Sequence, residues 1–422
     1  MVKVYYSLYG RLLSEKVLVA AFAKVKSKKG AAGVDGQSIA DFAGDCDAEV
    51  ATLVGELREK RYHPLPVRRV TIPKPDGGER QLGIPAVRDR VVQQALLDIL
   101  QPIFDPDFHP SSYGYRPGRS CHQAISKATL FIRKYERRWV VNMDLSKCFD
   151  TLDHDLIIRG FRRRIADGGI LNLLCLFLTS GVMTDDGWRP SEPGSPQGGV
   201  ISPLIANVYL DAFDQFMKGR GHRIVRYADD ILILCASRSA AENAQRQATA
   251  YLEGSLKLTV NRTKTHLTHS SRGVKFLGVV IHTRYTRIQE KKLRSLKAKV
   301  KAITRRNSPV NLEKVIADLN RVLRGFANYF RIANCKSKFQ SLMSWIRRRL
   351  RHKQLALWKK PSKLHRQLRQ LGRRGPFDAI RMQSWRNSAG RLAQKAMPNR
   401  YFADLGLFDL AEVTTGITVP VR

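Results

Sequence analysis

Apolar positions along this chain follow two rhythms. Leu13, Val17, Ala20 and Ala21 recur at helical spacing within Leu12 to Val25, which ends in the basic cluster Lys24 to Lys29. Gly30 to Gly36 predicts a tight loop, and Ile39 to Tyr62 a further helical region. Val67 to Ile72 and Arg80 to Ile84 are strand-like. Between them, Pro73-Lys74-Pro75-Asp76-Gly77-Gly78 is turn chemistry, so a hairpin follows with Lys74 and Arg80 near its tip. Asp89 to Leu100 predicts a helix and Ser111 to Ser120 a loop rich in Gly, Pro and Arg. Trp139 to Met143 predicts an apolar strand ending at Asp144, and Asp155 to Leu178 another helical stretch. Gly194 to Gly199 reads as a flexible loop feeding a helix near Ser202-Pro203, with Ser as cap and Pro at the first position. Ile224-Val225 and Ile231 to Leu234 then flank Tyr227-Ala228-Asp229-Asp230. Arms so continuously apolar predict a hairpin buried on both faces, carrying acids at its turn.

A helix over Ser239 to Leu256 and a strand over Val274 to Ile281 complete this region. Strands and helices mix from Thr71 to Ile281 without a repeating βαβ rhythm, which predicts an α+β domain. Beyond Ile281 the rhythm becomes purely helical. Leu293, Leu296, Val300 and Ile303 form one stripe. Leu312, Val315, Leu319, Val322, Phe326 and Tyr329 form a second, and Phe339, Leu342, Ile346 and Leu350 a third. Pro376 to Arg422 carries no motif.

Charge sharpens this picture. Over 422 residues, 74 Lys and Arg stand against 36 Asp and Glu, a formal +38. Such an excess repels itself unless it meets a polyanion, and nucleic acid is the usual one. Arg284 to Arg374 holds 28 Lys and Arg against 3 Asp and Glu, about two-thirds of the excess. That helical segment predicts a phosphate-backbone grip. The six cysteines show no metal-ligand spacing and read as small buried hydrophobes in a reducing compartment. The longest apolar run, Ile170 to Leu178, is about half of a bilayer span. A soluble cytoplasmic protein without a membrane partner is the expectation.

Asp229-Asp230 alone would suit an ordinary surface turn. Carboxylates beside a packed sheet need a counter-charge, however, and a divalent cation supplies one. Asp144 ends a buried strand in the same way. If the two strands are neighbours, their carboxylates converge, as phosphoryl transfer with two metal ions requires.

These residues carry a resemblance. Tyr227-Ala228-Asp229-Asp230 resembles the catalytic signature of reverse transcriptases. Val141-Asn142-Met143-Asp144-Leu145-Ser146-Lys147-Cys148-Phe149-Asp150 resembles the family's first acidic motif, and Ser195-Pro196-Gln197-Gly198-Gly199-Val200-Ile201-Ser202-Pro203-Leu204 its nucleotide-site loop. Three further stretches are similar to group II intron-encoded proteins and their intron-free relatives: Ile72 to Gly77, Tyr113-Gly114-Tyr115-Arg116-Pro117-Gly118-Arg119-Ser120, and Phe276-Leu277-Gly278. Arg324 to Phe330 and Trp345 to Arg351 resemble the family's thumb and maturase domain.

The resemblance implies a right-hand polymerase. Residues 1–62 would be an N-terminal extension, 63–283 fingers and palm with an antiparallel palm sheet, 284–375 a basic helical thumb and maturase domain, and 376–422 a tail. It implies an RNA-directed DNA polymerase taking an RNA or DNA template, a DNA or RNA primer and dNTPs. Two Mg2+ ions, with Mn2+ able to replace them, would sit on Asp144, Asp229 and Asp230 and the main-chain carbonyl of Leu145. Lys74, Arg80, Gln197, Gly198 and Lys264 would meet the nucleotide, Lys264 as a candidate proton donor to pyrophosphate. Phe149, five residues after Asp144, would gate against a ribose 2′-hydroxyl. Arg116, Arg119, Tyr227, Phe276, Leu277, Gly278, Arg347, Arg348 and Arg349 would contact primer or template. The chain departs from the family at Phe326, where Trp is usual, and at Met343-Ser344, where Leu-Asp is usual. An RNA-binding maturase acting on a cognate group II intron, or a host enzyme of DNA repair or defence, stands beside the polymerase reading.

Overall fold

The computed structural model describes residues 3–73, 77–184, 187–190, 198–417 and 420. Two compact units divide at residue 270, the first gathering 1–269 and the second 270–420.

The first unit opens with helices α1 (Glu15–Lys28), α2 (Ile39–Gly44) and α3 (Cys46–Arg58), then strands β1 (Val67–Pro73) and β2 (Glu79–Ile84). Helices α4 (Val87–Phe104) and α5 (Cys121–Arg133) precede β3 (Trp139–Met143), followed by α6 (His154–Arg162) and α7 (Gly168–Thr179). Short strands β4 (Val182–Thr184) and β5 (Gly187–Arg189) lead to α8 (Ser202–Gly219), β6 (Arg223–Tyr227), β7 (Asp230–Cys235), α9 (Arg238–Ala250) and β8 (His266–His269). β1 and β2 form the expected hairpin inside a sheet ordered β2-β1-β4-β5.

The sheet that matters for chemistry is antiparallel, in the order β6-β7-β3-β8. Residues 231–235 of β7 are all buried, as are Val140, Val141 and Met143 of β3. Burial on both faces, with α5, α8 and α9 packed against these strands, makes this hairpin a rigid support.

Several elements are finer than their apolar pattern. Ile39 to Tyr62 breaks into α2 and α3. Asp155 to Leu178 breaks into α6 and α7 because Asp167 caps a new helix, accepting from Gly169 N at 2.9 Å and Ile170 N at 3.2 Å. The same carboxylate accepts from Leu8 N at 2.6 Å and Tyr9 N at 2.8 Å, fastening the N-terminal segment. Helix α8 starts one residue earlier than its sequence suggests: Ile201 is the cap and Ser202 the first helical residue.

The second unit holds β9 (Val274–Phe276), β10 (Val279–Ile281) and β11 (Thr286–Ile288), an antiparallel sheet ordered β11-β10-β9. The single strand expected over Val274 to Ile281 is therefore two strands. They turn at Leu277 and Gly278, whose φ angles of 43° and 80° reverse the chain. Helices α10 (Glu290–Ile303), α11 (Leu312–Phe330), α12 (Lys336–Trp358) and α13 (Pro361–Gln370) follow, then α14 (Arg391–Ala396) and α15 (Asn399–Asp404). The expected stripe is buried on α12, and on α10 at Leu293, Leu296 and Val300, with Ile303 half-buried. On α11 the buried face is Leu312, Val315, Ile316, Leu319, Leu323, Ala327 and Phe330, with Val322, Phe326 and Tyr329 on its half-buried flank. The tail is no appendage: Phe402 and Leu410 are fully buried, and the tail's short helices pack on α12 and α13.

Candidate active site

Asp144 follows directly on β3, and Asp230 opens β7. These strands pair antiparallel with Met143 opposite Ile231. One residue beyond that pair lie Asp144 on one strand and Asp230 on the other, with Asp229 in the turn, near enough for their charges to act on one another. Residues far apart in sequence thus meet at one end of one sheet. Although Asp230 is exposed, the protein dense around its carboxyl and the charges of Asp229 and Asp144 push it up to about 6. Burial and Asp229 also raise Asp144, which Lys264 opposes.

Lys264 Nζ lies 3.9 Å from Asp144 Oδ2; among the described residues no cation pairs with Asp229 or Asp230. A cluster of hard oxygen donors with this charge deficit suits a divalent cation such as Mg2+. Among the described residues no three His, Cys, Asp or Glu side chains already stand at metal-holding positions. The donor set fits an ion shared with substrate phosphate and water, as Mg2+ prefers, rather than an all-protein cage. Leu145 is buried and bridges Val260. That bridge runs from Asn261 N to Asp144 O and from Ser146 N to Thr259 O, so it leaves the Leu145 carbonyl out.

The acidic turn rests on a support that the sequence reading missed. Arg226 is fully buried and forks onto Asp214, with Nε 2.8 Å and Nη2 2.6 Å from Oδ2. Its Nη1 donates to Asn207 Oδ1 at 3.0 Å and to the Ala228 carbonyl at 3.1 Å. Ala228 itself sits at φ 57°, a left-handed position at the hairpin tip. Gly114 closes against the same tip: a Cβ there would come within 2.3 Å of Ala228 N. Tyr113 N donates to Arg226 O and Arg226 N to Ser111 O, both at 2.9 Å. Asn207 Nδ2 holds the Gly114 carbonyl at 2.9 Å. The signal available in the sequence is a charged Arg226 directly after the apolar Ile224 and Val225; its pairing with Asp214 of α8 leaves no local mark.

Other expected residues fall out unevenly. Phe149 is half-buried and meets the Tyr115 ring edge-on, centroids 6.5 Å apart. Tyr227 is half-buried at the end of β6. Gly198 has φ 123° and presses on β2, where a Cβ would lie 2.2 Å from the Gly83 carbonyl; Val200 N donates to Gln93 Oε1 at 2.7 Å. Lys74 and Gln197 lie outside the described residues. Of Arg80 only the backbone is described, paired with Ile72.

The arginines expected on primer and template are occupied within the protein. Arg116 is buried and bonds Asp105, the Asp105 carbonyl, and the carbonyls of His109 and Ser112. Arg119 donates to Pro110 O at 3.2 Å and lies over the Tyr113 ring. In the second unit, Arg347 pairs with Asp409, and Arg348 lies 4.2 Å over the Trp385 ring. Arg349 caps the end of α10, donating to Thr304 Oγ1 at 2.6 Å and to the carbonyls of Thr304 and Lys301. Each of these guanidinium groups thus ties α12 to a neighbouring element of the same unit. The solvent face of α10 is different: Lys291, Lys292, Arg294, Lys297, Lys299 and Lys301 are all exposed. In the same unit, Phe276 is buried, and the Leu277 carbonyl accepts from Tyr329 Oη at 2.9 Å. No helix of the described residues is long and apolar enough to cross a membrane.

The family described as reverse transcriptase (RNA-dependent DNA polymerase) matches residues 72–281, and the group II intron maturase-specific domain matches 293–372. Protein YkfC of Escherichia coli (strain K12) is 38% identical over 308 residues, covering 64% of this chain and 81% of YkfC. The group II intron-encoded protein LtrA of Lactococcus lactis subsp. cremoris is 29% identical over 349 residues, covering 67% of this chain and 57% of LtrA. The chain thus spans little more than half of that relative. Among solved structures, apo telomerase from Candida Tropicalis truncated from its C-terminal domain gives a TM-score of 0.42 at 14% identity, covering 56% of this chain and 58% of its own. The chain belongs to the group II intron type of reverse transcriptase, a polymerase domain followed by a maturase-specific domain.

Proposed function

We propose that this protein extends a DNA or RNA primer on an RNA or DNA template. The primer 3′-oxygen attacks the α-phosphorus of a dNTP, a new P–O bond forms, and the bond to pyrophosphate breaks. The observation carrying this reading is the β3–β7 pairing, which sets Asp144 beside the Asp229-Asp230 turn.

Reverse transcriptases as a family use divalent metal ions, and here Asp144 and Asp229 would hold two Mg2+, aided by Asp230 and the Leu145 carbonyl. Bound there, they would activate the 3′-hydroxyl and stabilise the leaving oxygen. Lys264, 3.9 Å from Asp144, is close enough to this centre to serve as proton donor to departing pyrophosphate. Lys74 and Arg80 would balance the triphosphate, and Gln197 and Gly198 would admit the nucleotide against the backbone. Phe149 would exclude a ribose 2′-hydroxyl. Phe276, Leu277 and Gly278 would steady the primer end, and Tyr227 would lie along it.

The +38 formal charge supports nucleic acid as the partner. With Arg347 to Arg349 engaged internally, the exposed cations of α10 are the better candidates for phosphate contact. The maturase-domain match favours a second role, assisting a cognate group II intron to splice. Primer extension on defined RNA and DNA templates tests the polymerase reading: cDNA appears with Mg2+ and dNTPs and vanishes with Asp229→Ala. Splicing that survives Asp229→Ala but fails when the α10 lysines are neutralised supports the second.

A further inference from the structure

The segment from Tyr113 to Arg116 is pinned at both ends of a single exposed side chain. On one side, Gly114 sits so tightly on the backbone of Ala228 that no side chain fits, and Asn207 holds its carbonyl at 2.9 Å. On the other, the Arg116 guanidinium is buried in a web of Asp105, His109 and Ser112 acceptors. Tyr115 between them adopts φ 59°, a conformation unfavourable for any residue with a Cβ. The residue is nevertheless 50% exposed. A large aromatic held in an unfavourable backbone state, yet not packed into the core, is being presented rather than stored.

The surface it presents is an edge to Phe149, at 6.5 Å between centroids and 81° between planes. Phe149 belongs to the short turn Cys148–Thr151 that follows Asp144, and is itself only half-buried. Cys148 beside it is buried, so the turn is fixed while the Phe149 ring keeps an open side. A half-open ring can discriminate a single oxygen only if it is prevented from swinging aside. Edge-to-face contact with a second, backbone-locked ring supplies that restraint.

We propose that Tyr115 is a positioning residue for sugar selection: it braces Phe149 from the acidic-turn side and holds the ring against the nucleotide's C2′ position. The inference rests on the reading of Phe149 as the ribose gate. It makes the Gly114-Tyr115-Arg116 loop a mechanical link between the Asp229 turn and nucleotide choice.

The test is single-nucleotide extension by the full chain, comparing kcat/KM for a dNTP and its rNTP. Tyr115→Asn removes the ring while keeping a residue that tolerates positive φ; Tyr115→Phe keeps the ring; thermal melting accompanies each. Tyr115→Asn is expected to raise the rNTP/dNTP efficiency ratio about threefold to tenfold, and Tyr115→Phe to stay within about twofold of the parent. Phe149→Ala raises the ratio further, and adding Tyr115→Asn to it changes nothing more, because the brace then has nothing to hold. If Tyr115→Asn lowers both efficiencies equally, with an unchanged ratio, while Phe149→Ala shifts it, the brace is refuted and the gate stands. If Phe149→Ala leaves the ratio unchanged, the gate reading falls and the brace with it.

Discussion

The Arg226 guanidinium and the Asp214 carboxylate form a bidentate pair at zero solvent exposure, directly beneath the Asp229-Asp230 turn. Because Arg226 also holds the Ala228 carbonyl, this pair fixes the tip's backbone as well as the strand below it. Removing one partner leaves a buried charge alone. Arg226→Leu or Asp214→Leu should each destabilise the protein by about 3–5 kcal/mol. The double substitution Arg226→Met with Asp214→Leu should recover much of that stability in chemical denaturation. Primer extension should stay low in the double variant, since Ala228 and Asn207 lose their donor.

Gly114 tests the same support without touching a charge. An alanine Cβ would meet Ala228 N at 2.3 Å, and backbone cannot yield that much without moving the turn. Gly114→Ala should keep the protein folded by circular dichroism while lowering kcat for extension by at least about tenfold, with RNA affinity little changed.

His109 gives the fold a pH dependence. Burial first, then the positive charges of Lys218, Arg226 and Lys127, lower it to about 4, with Asp211 opposing. Its Nδ1 accepts from Ser111 N at 3.0 Å, so the folded state holds it neutral. The unfolded chain takes up a proton near pH 6.5, so stability is complete above that value and is lost as pH falls from about 6.5 towards 4, by up to about 3 kcal/mol. His109→Asn, which keeps an acceptor for Ser111, should flatten that part of a denaturation-versus-pH curve.

Strand periodicity made β3, β6 and β7 legible, because residues buried on both faces leave unbroken apolar runs. It missed β8, whose His266-Leu267-Thr268-His269 is half polar at a sheet edge, and β4 and β5, too short for any period to show. The acids of the turn were readable from their order along the chain. Their support was not: Arg226 with Asp214, and Gly114 against Ala228, are pairings between distant positions, and no local pattern announces them. Charge counting located the basic helices but says nothing of how α12 is held, since a count does not distinguish an arginine capping a neighbouring helix from one facing water.

That distinction is measurable. Arg349→Ala frees the end of α10 and should lower thermal stability, with RNA binding following the fold. Lys291→Gln with Lys297→Gln on α10 should leave melting within about 0.5 kcal/mol of the parent. It should weaken RNA binding and reduce the salt dependence of the affinity by roughly 0.7 per lost phosphate contact on single-stranded RNA.

The account's centre is that the ends of β3 and β7 bring distant carboxylates to one reaction. Single-turnover extension of a primer annealed to RNA, measured for the parent, Asp144→Asn and Asp229→Asn beside their RNA affinities, tests it most directly. The account predicts that either substitution lowers the extension rate by at least about 1000-fold with RNA affinity within a few-fold of the parent. Extension at near-parent rates by either variant would contradict it.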